Sequence, residues 1–67
     1  MQPGEPPPQR GVCVVAVERR AGAGCLITVS VVLDVTKPYQ ESRAHFVTQR
    51  EALADVQRFL RAMAVLE

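Results

Sequence analysis

The stretch from Cys25 to Thr36, CLITVSVVLDVT, constrains the fold of this chain more than any other. Its odd positions, Cys25, Ile27, Val29, Val31, Leu33 and Val35, are all apolar. Its even positions, Leu26, Thr28, Ser30, Val32, Asp34 and Thr36, are mostly small, polar or β-branched. Successive side chains of a strand point to opposite faces, so a period of two predicts a long strand with one apolar face. A helix would scatter the same residues around its circumference. The β-branched content agrees, and Pro38 with Tyr39-Gln40 supplies turn chemistry to close the strand.

The segment before it, Gly11 to Arg20 (GVCVVAVERR), predicts a second strand, and Ala21-Gly22-Ala23-Gly24 offers the glycines of a tight reversal. Together they form an antiparallel hairpin whose register decides which face of the first strand is buried. With Val17 opposite Ile27, Val15 faces Val29 and Cys13 faces Val31, giving a continuous apolar face. With Ala16 opposite Val29 instead, Glu18 lands opposite Ile27 inside the core. Burying an unpaired carboxylate is costly, so the first register is expected. A third strand is predicted over Glu41 to Val47. Ala44 and Phe46 join the apolar face there, while Arg43, His45 and Val47 point to the other. A short loop from Lys37 to Gln40 sets Arg43 opposite Asp34 and Phe46 opposite Val31, a register favoured by the facing opposite charges.

Thr48-Gln49-Arg50-Glu51 is a capping box, with Thr at the N-cap and Glu three residues on. The helix it starts is predicted to run to about Leu66. Ala52, Leu53, Val56, Phe59, Leu60 and Met63 share one broad apolar face, and Glu51 and Asp55 precede Arg58 and Arg61 as the helix dipole prefers. The expected architecture is α+β: a three-stranded antiparallel β-meander in the order 1-2-3, with one C-terminal α-helix packed on one face (βββα). Residues 11–67 form this single domain. Met1 to Arg10, MQPGEPPPQR, hold four of the five prolines and predict a disordered tail with polyproline II character.

At 67 residues, a single core is marginal without a disulfide, a metal or a partner chain. Eight basic against seven acidic residues leave a net charge of +1, which supplies no electrostatic drive toward nucleic acid, membrane or acidic substrate. No run approaches bilayer length, and no charged start followed by an apolar stretch marks a signal peptide. Two cysteines in that context point to free thiols and a cytoplasmic location.

The reactive side chains do not gather into a centre. In the expected register Cys13 and Cys25 stand roughly 20 Å apart along the hairpin, beyond disulfide reach, and their spacing fits no redox or zinc motif. His45, the lone histidine, has Asp34 as a diagonal cross-strand neighbour and Ser30 further along the same face. A flat strand face supplies neither a pocket nor an oxyanion hole, so no catalytic residue, metal or cofactor is expected. Gly22 and Gly24 lie between strands and not before a helix, so no phosphate cradle forms.

Two function classes remain. The topology resembles the DNA-reading domains of some phage-type integrases and plant ethylene-response factors, which lay an open sheet face on DNA and read it with basic side chains. Here the middle strand offers no Lys or Arg on that face, leaving Arg50, Arg58 and Arg61 on the helix as the nucleic-acid alternative. The favoured expectation is a non-enzymatic interaction module. One helix leaves one sheet face open, and that face carries Val12, Val14, Leu26, Thr28, Ser30, Val32, His45 and Val47. Apolar surface of that extent on a small domain is expected to be buried against another chain, most simply in a symmetric homodimer. An accessory or regulatory subunit follows from that.

Overall fold

A computed structural model describes residues 8–22 and 24–66. Strand β1 (Val12–Arg20) is followed by β2 (Gly24–Val32), a single 3-10 turn (Pro38–Gln40), β3 (Ser42–Phe46) and helix α1 (Gln49–Ala62). The three strands form one antiparallel sheet in the order β1-β2-β3, and the helix follows them, as the hydrophobic periods predict. The hairpin register is the expected one, with Val17 opposite Ile27, Val15 opposite Val29 and Cys13 opposite Val31. Glu18 thereby faces away from the helix, opposite Leu26. Gly22 and Gly24 have φ of 71° and 77°, left-handed backbone that a side chain would strain.

Beyond Val32 the structure departs from expectation. β2 does not run on to Thr36, because Asp34 turns the chain. Its carboxylate accepts from the Thr36 hydroxyl at 2.6 Å and the Thr36 N–H at 3.0 Å, and its carbonyl accepts from the Lys37 N–H at 2.8 Å. The longer connection shifts β3 along its neighbour. Phe46 lies opposite Ile27, not Val31, and Arg43 lies opposite Ser30, not Asp34. A short Asp side chain finds local turn partners more readily than a cross-strand cation. Arg43 pairs with Glu41 instead, at 3.0 Å. The shift spans an even number of residues, so Ala44 and Phe46 keep the predicted face.

Most of the expected tail lies outside the described residues. Of its end, Arg10 accepts a 2.8 Å hydrogen bond at its carbonyl from the Val35 N–H, and the Gln9 side-chain amide donates to the Leu33 carbonyl at 2.9 Å. The chain is therefore already alongside the segment after β2 before β1 begins.

Helix α1 starts where the capping box predicts. The Thr48 hydroxyl oxygen accepts from the Glu51 N–H at 3.3 Å, and the hydroxyl donates to the Glu51 carboxylate at 2.7 Å. The helix ends at Ala62, a turn before the predicted Leu66. Ala64 adopts φ 59°, its N–H bonds to the Arg61 carbonyl at 2.9 Å, and the Val65 N–H reaches the Leu60 carbonyl at 3.0 Å. These two bonds are a Schellman stop with alanine where glycine is usual.

The helix packs over β2 and β3. Its C-terminal end reaches Gly11, where a Cβ would stand 2.8 Å from the Met63 Sδ. Val29, at the centre of the middle strand, has no exposed surface, and Ala52 of the helix, 5% exposed, is the other buried apolar residue among those described. Ile27, Val31, Phe46, Val56 and Phe59 are only half-buried. The core is thin.

Candidate interaction surface

Strand β1 lies outside the cover of the helix. An α-helix about 10 Å across spans roughly two strands set about 4.8 Å apart, so a three-stranded sheet under one helix leaves a strand bare. The bare strand carries the run Val12-Cys13-Val14-Val15-Ala16-Val17. Such an unbroken apolar run is the pattern of a strand covered on both faces. Here Val12 and Val14 are 42% and 53% exposed on the open face, and Val15 and Val17 are 50% and 62% exposed on the helix side.

On the helix side an apolar hollow of about 450 Å³ opens between β1 and the first half of α1, lined by Val15, Val17, Cys25, Ile27, Val47 and Leu53 among others. Val47 belongs here and not to the open face. β3 ends at Phe46, so the two-residue alternation stops, and the chain bends into the Thr48 cap. That places Val47 one residue before the N-cap, beside Ala52 of the first turn, as a hydrophobic staple would. Sequence reasoning missed the hollow by letting one helix cover the whole apolar face. The widths of a helix and of three strands were the signal that reveals it.

The open face brings together the rest of the expected set. Val12 lies opposite Val32, Val14 opposite Ser30, and Leu26 opposite Glu18. Thr28 lies opposite His45, and its Oγ1 is 3.0 Å from the His45 Nδ1. Leu26, Thr28, Ser30 and Val32 are half-buried by their neighbours on the sheet, so the exposed aliphatic surface of this face concentrates on β1. The shift of β3 also takes Asp34 away from His45. His45 meets Thr28, Ser30 meets Arg43, and Asp34 is held in its turn by Thr36.

The thiols stand apart. Cys13 is half-buried opposite Val31, and Cys25 is exposed opposite Arg19. Burial, and secondarily the Asp55 carboxylate, push the Cys13 thiol above its ordinary range, which disfavours the nucleophilic thiolate. No group of three or more metal-ligating side chains occurs among the described residues. On the helix, Arg50, Arg58 and Arg61 are all exposed, and Arg58 is paired with Asp55 at 3.1 Å. Among the described residues, no helix is long and apolar enough to cross a membrane.

The two edges of the sheet differ in kind. The outer edge of β3 is five residues long, carries Arg43 and His45, and follows a turn containing Pro38. Short, charged edges resist pairing with other chains. The outer edge of β1 is nine residues long, its charges are confined to Glu18-Arg19-Arg20, and no described strand pairs with it. No protein family, curated protein or solved structure matches this chain.

Proposed function

We propose that this chain is a non-enzymatic interaction module that works as a homodimer, in the manner of an accessory or regulatory subunit. The observation that carries this is the exposure of Val12, Val14, Val15 and Val17 on both faces of a single edge strand, beside a core with so little fully buried apolar surface. Removing apolar surface from water contributes about 25 cal/mol per Å², and a domain of this size has little stability to spare. A second chain against β1 would bury these valines and add the contacts that the helix does not provide. The contact accordingly centres on β1 and shares Val12 and Val14 with the open face, while Thr28 and His45 at its middle already have each other.

Sedimentation velocity at micromolar concentration tests this. A species of twice the chain mass is expected, and an Arg61→Glu substitution on the exposed helix face should leave it unchanged. A monomer across the micromolar range would overturn the proposal.

A further inference from the structure

On the premise that the chain is a homodimer, we propose that two copies join through antiparallel pairing of β1 with β1 about a twofold axis at Val14, making one six-stranded sheet. The free outer edge of β1 supplies the backbone donors and acceptors for this ladder among the described residues. A twofold axis normal to the sheet keeps facing residues on the same side, so each helix lies on the same face of the joined sheet.

Charge selects the register. With Val14 opposite its own copy, Val12 lies opposite Ala16, Cys13 opposite Val15, and Gly11 opposite Val17. Arg10 then lies opposite Glu18 at each end of the ladder. Every residue between those two ion pairs is uncharged, from Gly11 to Val17. Moving the axis to Val15 would set Glu18 against Val12, and moving it to Ala16 would set Arg20 against Val12 and Glu18 against Val14. An axis at Cys13 would leave Arg10 opposite Ala16. Only the Val14 register pairs the charges and keeps them off the valines.

The observed chain prepares both ends of this ladder. Arg10 is held in line with β1 by the hydrogen bond from the Val35 N–H to its carbonyl. Pro8, two residues earlier, has no N–H to donate and ends the pairing. Glu18 is exposed and shares an ion pair with Arg20 at 3.2 Å, so a carboxylate is present at the position that the Arg10 guanidinium of the second copy would meet. The helix side fits as well. Val17, the most exposed of the four valines, comes opposite Gly11 of the second copy, over which the Met63 thioether of that copy lies. The end of one helix thus closes the bare end of the other hairpin.

A charge exchange tests the register, with sedimentation equilibrium as the readout and circular dichroism confirming that each variant is folded. Arg10→Glu and Glu18→Arg each place like charges opposite one another at both ends. Each should raise the dimer dissociation constant by about tenfold, as expected for two exposed pairs turned repulsive. The double variant Arg10→Glu/Glu18→Arg should return it to within about threefold of the unaltered chain. Single variants that dimerise normally, or a double variant no better than either single, would overturn the register while leaving a homodimer standing. A wild-type monomer would remove the homodimer and this ladder together. A second measurement is independent of charge: in a Cys13→Ala/Cys25→Ala background, Val14→Cys should form a diamide-induced dimer and Val12→Cys should not. Facing residues in antiparallel strands lie within disulfide reach, whereas Val12 and its own copy are displaced along the ladder. Absence of the Val14→Cys dimer, or equal yields from both, would also overturn the proposal.

Discussion

Asp34 and Thr36 hold each other twice, through the Thr36 hydroxyl at 2.6 Å and the Thr36 N–H at 3.0 Å, both donating to one carboxylate oxygen. This two-residue clasp ends β2 at Val32 and lengthens the connection to β3. It therefore sets which residues of β3 face Ile27 and Val29, and where the helix that follows must start. A local polar contact at the surface decides the alignment of the core above it.

The clasp makes stability depend on pH. Hydrogen bonds from the Thr36 side chain and backbone, which favour the carboxylate, hold the Asp34 carboxyl below its ordinary 3.8. A depressed native value means that the contribution is present above the unfolded value and is lost as pH falls through the native one. Thermal melts of the wild type and of Asp34→Asn between about pH 7 and about pH 2 should show the wild type ahead at neutral pH. The two should converge in acid. A constant gap across that range would show that the charge of Asp34 plays no part.

The helix stop offers a gain in stability. Ala64 sits at φ 59°, in a left-handed conformation that costs an L-residue about 1 kcal/mol relative to glycine. Ala64→Gly should raise stability by about that amount and the melting temperature by about 4–8 °C. A lower melting temperature would mean that the Schellman bonds do not form in solution.

The helix start offers the corresponding loss. The Thr48 side chain satisfies the Glu51 N–H and engages the Glu51 carboxylate. Thr48→Ala should cost about 1 kcal/mol, read from a urea titration. Thr48→Ser, which keeps the hydroxyl, should recover most of it, and equal losses from the two substitutions would point away from the cap.

The sheet was legible in the sequence because period-two patterning is unambiguous over Cys25 to Val32, and because burying Glu18 leaves the hairpin one acceptable register. The register of β3 was not. A weak cross-strand attraction between Arg43 and Asp34 competes with a local turn, and sequence pattern does not show that the turn prevails. Faces survived the error because the shift is even. The end of the helix was hidden by Ala64, a strong helix former that here takes the position where a glycine would have announced the stop. As for the candidate surface, Val12 and Val14 stood out from the pattern alone. Val15, Val17 and Leu53 did not, because one apolar face was assigned wholly to one helix.

The central claim is that the exposed apolar residues of β1 are covered by a second copy and that this cover contributes to the stability of the fold. Its most direct measure is the melting temperature as a function of protein concentration. A chain whose folded state is linked to dimerisation gains stability by mass action, on the order of 2.7 kcal/mol per dimer, or about 1.4 kcal/mol per chain, for a hundredfold rise in concentration. Calorimetry from about 1 µM to about 100 µM should therefore show the midpoint rising by about 5–10 °C. A midpoint that stays fixed over that range would contradict the claim, leaving β1 as the exposed edge of a self-sufficient monomer.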